Sequence, residues 1–150
     1  MSNIQALQAE FMVAGQQKLN GLREILKERG PNKQAALYMN LIEEEFDELQ
    51  KWFVVYANAV REDEKLAALC EVLDGICDLS VVLMGLCNSL GLPFDSAFLE
   101  VHKSNMNKFV PNEDGTYTIL KRVDGKIIKP STWQKPNIMS ILKYRLIMGD

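Results

Sequence analysis

Residues 32–61 run for thirty positions without a glycine or a proline. A segment this long with no breaker inside it is expected to be helical. Stepping round it at ~100° per residue puts Tyr38, Ile42, Phe46, Leu49, Phe53, Tyr56 and Val60 on one stripe. Leu37, Leu41, Trp52, Val55 and Ala59 fall on a second stripe beside the first. About half the wheel is then apolar, so the helix is expected to pack on two sides. Glu45 falls near the middle of that apolar half, Glu48 inside the second stripe and Glu44 at its edge. Glu43 and Asp47 point the other way, toward water.

The rest of the chain reads as helices around this one. Residues 3–28 have helical spacing and stop at Gly30-Pro31. Residues 63–90 form a third helix, stopped by Gly91-Leu92-Pro93, and residues 94–109 a shorter fourth. The inner residues of the fourth are expected to be Phe94, Ala97, Phe98, Val101 and Met106. After Pro111, residues 117–123 are β-prone and can pair with 126–128 across Asp124-Gly125, read as a two-residue hairpin turn. A short last helix is expected over 137–148. The fold class is all-α: a four-helix core over about 3–109, with a C-terminal hairpin or loop appendage and a short final helix over about 110–150. A chain of 150 residues fits a single domain of this kind.

The third helix repeats the anomaly of the second. From 66 to 90 it is apolar nearly all round, which marks a core helix, yet it carries Glu71, Asp74 and Asp78. On an ideal wheel these three share a wedge of roughly 60°. Asp74 and Asp78 stand one turn apart, about 6 Å along the axis. Burying one unpaired carboxylate costs several kcal/mol, and a group of them repels itself. No lysine or arginine lies on the inner stripes of these two helices to offset that cost. A divalent cation would, and oxygen-only ligands select Mg²⁺ or Mn²⁺ over zinc.

Other chemistries fit less well. A di-iron bundle needs two Glu-x-x-His pairs, and His102 is the one histidine, with no acid three residues before it. A zinc hydrolase lacks nitrogen and thiolate ligands here. His102 reads as structural or as a residue behind the ligands. Cys70, Cys77 and Cys87, odd in number and set in one apolar stretch, read as core thiols. A net charge of -3 with no long basic run argues against duplex nucleic acid. No apolar run is long enough for a membrane span and no signal peptide is evident, so a cytoplasmic location is expected.

Four segments then carry a resemblance. Glu44-Glu45-Phe46-Asp47-Glu48 matches EExxE, and an acidic helix with DGICDLSVVLMGLCNSLGL follows it. EVHKSNMNKF resembles an EVHRxNxxK segment, and DGKIIKPSTWQKPNI a DGKxxKP...W..P tail. In this order the motifs, over roughly residues 36–138, are similar to those of the all-α nucleoside triphosphate pyrophosphohydrolases of the MazG-like and phosphoribosyl-ATP pyrophosphohydrolase-like groups. One departure concerns the second motif, often ExxD: aligning its aspartate on Asp78 puts Gly75 at the glutamate position. Asp74 can replace it, and Glu71 is a further candidate.

The resemblance implies Mg²⁺-dependent hydrolysis of a nucleoside triphosphate to the monophosphate and pyrophosphate, with Mn²⁺ also accepted. Glu45, Glu48, Asp74 and Asp78 would be the metal ligands, and Glu44 the base that orients a metal-activated water. Lys103, Asn105, Lys108, Lys126 and Lys129 would bind the phosphates. Trp52, one turn after Glu48, either packs in the core or stacks on the base. A deoxynucleoside triphosphate is the favoured substrate, and a homodimer or dimer of dimers the expected assembly. Phosphoribosyl-ATP is an alternative substrate. A non-catalytic helical dimerisation or regulatory module is an alternative of another class.

Overall fold

The computed structural model describes residues 3–30 and 32–149. The chain is mostly helical, with a minor two-stranded sheet. It divides into two compact units, residues 3–92 with Gly149, and Pro93–Met148.

In the first unit, α1 (Ile4–Ala14) and α2 (Leu22–Ile25) precede two long helices, α3 (Lys33–Asn58) and α4 (Glu62–Ser89). The expected continuous helix over 3–28 is therefore broken. Gly15 caps α1, Gln16 takes a left-handed φ of 58°, and Gln17 N–H returns to the Met12 carbonyl at 2.8 Å. The side chains of Asn3 and Asn32 accept from backbone N–H groups three residues on, supplying the N-caps of α1 and α3. The three residues 59–61 join α3 to α4, so the two long helices form an antiparallel hairpin. At the far end of α4, Gly91 adopts φ +63°, and a β-carbon there would lie 2.3 Å from the Leu22 backbone nitrogen. Only glycine meets both conditions, so the chain can turn away here, two residues past the end of α4.

Over most of its length helix α4 is buried along one stripe, with Met84 buried on the other side near its C-terminal end. Ala68, Gly75, Val82 and Ser89, seven residues apart, are all buried. They are small or slender, so α3 and α4 approach closely. The core cluster of Met12, Tyr38 and Val82 brings α1, α3 and α4 together, with Leu41, Ile42, Leu79 and Leu86 packed against it. Gly85 admits the Tyr38 ring: a β-carbon there would stand 2.0 Å from a ring atom.

The opposite faces are open. Phe46, Phe53 and Val60 of the expected inner stripe are 48%, 57% and 83% exposed, and Leu37 and Val55 of the second stripe are exposed too. Leu66 and Leu73 of α4 are 71% and 62% exposed. Cys70 and Cys77 lie on this outer side and are exposed, against the expectation of core thiols; only Cys87 is half-buried, and burial pushes its thiol up. The reason is geometric, since the buried stripe already takes the side of α4 that faces its neighbours.

The second unit holds α5 (Phe94–Met106), β1 (Val110–Pro111), β2 (Tyr117–Thr118) and α6 (Ile138–Met148). Ser104 is the buried residue of α5, while Phe98 and Met106, expected inward, are exposed. The expected hairpin exists in reduced form: Lys121 bridges Ile127, and Ile128 N–H donates to the Leu120 carbonyl at 2.7 Å. Its loop has three residues, 123–125, because Arg122 N–H donates to Lys126 and only Gly125 takes positive φ. Residues 113–115 form the same loop between β1 and β2, again ending Asp-Gly, with Val110 opposite Thr118. Among the described residues no helix is long and apolar enough to cross a membrane.

Candidate metal centre

The α3–α4 hairpin sets the geometry of the acidic site. Gly75 is buried against Leu49, whose Cα lies 3.5 Å from where a glycine β-carbon would be. The two helices therefore pass closely at this level. Glu48 is the neighbour of Leu49, and Asp74 the neighbour of Gly75, so the close approach draws carboxylates of both helices into one neighbourhood. Asp78 follows one turn after Asp74, and Glu45 precedes Leu49 by one turn.

Electrostatics show this convergence. The Glu45 carboxyl is held above the ordinary glutamate value, first by partial burial and then by the negative charges of Asp78, Glu48, Glu44 and Asp74. Glu71 is exposed and is not among these neighbours, whereas Asp74 is. A β-carbon at Gly75 would make ordinary van der Waals contact with Leu49.

Burial differs from expectation. Only Glu45 is partly buried; Glu44, Glu48, Asp74 and Asp78 are exposed in the single chain, as are Glu43 and Asp47. The helices leave that flank uncovered, so the acids form a charged patch in water beside the core and not a group sealed inside it. Among the described residues, no three carboxylate, histidine or cysteine side chains converge closely enough to hold one ion. This does not contradict the mutual repulsion at Glu45: like charges act on one another over distances well beyond a coordination bond. The donor chemistry, five carboxylates and no nitrogen or sulfur, fits a hard dication such as Mg²⁺ or Mn²⁺.

The chain matches no protein-family model and no curated protein.

The expected phosphate-binding residues all lie in the second unit. The Lys108 ammonium donates to Asn105 Oδ1 at 2.7 Å, so these two form a pair one turn apart. Lys103 precedes them on α5 and is exposed, as is His102. Lys126 follows the Asp124-Gly125 turn, its backbone N–H held by Asp124 Oδ1 at 3.2 Å. The Lys129 ammonium lies 3.8 Å from the centre of the Trp133 ring. In the first unit, Trp52 is partly buried, with the Lys51 ammonium 5.6 Å from its ring centre.

Two features lie outside the sequence reading. One is a buried polar network: the Tyr38 hydroxyl donates to Gln17 Oε1 at 2.6 Å and accepts from the buried Gln8 amide at 3.3 Å. Gln34 and Asn20 side chains meet Ser89, which is fully buried. Gly85 inside an apolar helix was the available signal, because a bare backbone in a core helix marks a large neighbour. The other is the Trp133 clasp on α5, which no pattern of spacing announces.

Proposed function

We propose that this chain is a Mg²⁺-dependent hydrolase that releases pyrophosphate from a nucleoside triphosphate, with a deoxynucleotide the favoured substrate. The observation that carries the reading is the repulsion at Glu45, where four further carboxylates from two helices act on one group. Such a set favours a dication over any neutral ligand. Glu45, Glu48, Asp74 and Asp78 would hold the ion. When bound, it supplies charge neutralisation and Lewis acidity.

The chain's own residues do the rest. Glu44, at the edge of the set, takes the proton of the attacking water. The water's oxygen bonds to the α-phosphorus, the bond to the bridging oxygen breaks, and pyrophosphate leaves. Lys103, Asn105, Lys108, Lys126 and Lys129 of the second unit keep the phosphate-binding role that the resemblance implies for them, lysine serving as a mobile point charge. A second copy of the chain would cover the apolar faces of α3 and α4, giving a homodimer or a dimer of dimers. The exposed Phe46, Phe53 and Val60, spaced by seven, support that assembly.

A panel of ribo- and deoxynucleoside triphosphates, with phosphoribosyl-ATP, assayed for pyrophosphate release in Mg²⁺ tests the reading. Turnover of at least one, lost in Glu48→Gln, is expected; pyrophosphate from none would remove it. The same exposed stripes favour a second reading, a non-catalytic helical dimerisation module. It predicts association without hydrolysis.

A further inference from the structure

We propose that Trp133 is a positioning residue for Lys129, holding its ammonium ready for a polyphosphate at the C-terminal end of α5. The inference deepens the hydrolase reading and rests on it for assigning Lys129, Asn105 and Lys108 to phosphate. The tail is clasped to the helix by reciprocal bonds. The Trp133 indole N–H donates to the Ser104 carbonyl at 2.8 Å, and the Ser104 hydroxyl donates back to the Gln134 carbonyl at 2.8 Å. Ser104 is 5% exposed, so both bonds are shielded from water and hold the ring in one orientation. Trp133 N–H also closes a turn onto the Pro130 carbonyl at 3.0 Å, and Asn137 N–H donates to Glu100 Oε1 at 3.1 Å.

The ring so fixed carries the Lys129 ammonium on its face, 3.8 Å from the centre. Asn105 follows Ser104 directly in sequence and is bonded to Lys108. The clasp therefore anchors Lys129's support at the residue next to the Asn105–Lys108 pair. A lysine without a partner spends its time over many rotamers and loses that freedom on binding. A lysine resting on a ring face has lost much of it already and keeps N–H groups for an anion. That is preorganisation, and its effect is on affinity.

The test is a double-mutant cycle on the full chain, with inorganic triphosphate in Mg²⁺ as the probe and Kd read by calorimetry. Lys129→Met is expected to weaken binding about tenfold, the scale of one charge-assisted contact. Trp133→Leu should weaken it severalfold, and the double variant should be no weaker than Lys129→Met alone. Lys129→Arg, which also rests on a ring, should bind like the unchanged chain. If Trp133→Leu loses helix by circular dichroism, the cycle is read with Trp133→Phe, which keeps a ring and drops the bond to Ser104; the same non-additivity is expected. Losses that multiply, an unchanged Kd in Lys129→Met, or no triphosphate binding at all would overturn the role. A chain that shows the coupling but releases pyrophosphate from no nucleotide keeps this role and loses the hydrolase reading. One that hydrolyses with multiplying losses does the reverse.

Discussion

Gly75 of α4 lies against Leu49 of α3, with 3.5 Å between the Leu49 Cα and the place of a glycine β-carbon. This one approach brings the two acidic segments to the same level of the helix hairpin. Alanine makes only ordinary van der Waals contact there. Gly75→Ala is therefore expected to fold with stability within about 1 kcal/mol of the unchanged chain, since the helix favours alanine by a similar amount. A thermal melt checks this.

Gly85 gives the contrasting case. Its β-carbon would overlap the Tyr38 ring at 2.0 Å, and Tyr38 is itself buried. Gly85→Ala should cost about 1–3 kcal/mol, as overpacking in a core does. A chemical-denaturation midpoint equal to that of Gly75→Ala would contradict the packing described.

The Tyr38 hydroxyl serves two glutamines at once. Tyr38→Phe keeps the ring and leaves the buried Gln8 amide short of an acceptor, so a loss of about 1–3 kcal/mol is expected. Denaturant titration reads it.

Glu45 carries a pH prediction. Its pKa is raised in the folded chain, so the folded state holds this proton more tightly than the unfolded state does. Its contribution to stability is fully present below the ordinary glutamate value and is lost as pH rises through the raised value. In chelator, Glu45→Gln should melt higher than the unchanged chain at neutral pH, and the difference should vanish in acid. With Mn²⁺ added, the ranking at neutral pH should reverse.

Substitutions at Glu44 and Glu48 test the proposed base against a proposed ligand. Glu44→Gln is expected to lower kcat about 100-fold or more with Mn²⁺ affinity kept. Glu48→Gln should lower both. Near-normal turnover with unchanged metal affinity in Glu48→Gln would remove it from the ligand set.

The long helices were legible because nothing between 32 and 61 breaks them and Gly91-Leu92-Pro93 ends the third. The acids of α3 and α4 were legible as a group because they share wheel positions. Their degree of burial was not, since a wheel shows which residues share a side and not whether anything covers it. Phe53 and Cys77 are apolar in sequence and exposed in the chain for that reason. The break after Gly15 is not legible in the pattern because helical spacing persists on both sides of it. The three-residue loops turn on where positive φ falls: Gly125 takes it and Asp124 does not. Pairing of Val110 with Thr118 depends on chain reversal, which local propensity does not specify.

The central claim is that the acids of α3 and α4 together bind a dication. Calorimetric titration of the full chain with Mn²⁺, beside Asp78→Asn and Glu48→Gln, tests it most directly. The account predicts saturable binding to the unchanged chain, weakened at least tenfold in either variant. Equal heats in all three, or no binding to any, would contradict it.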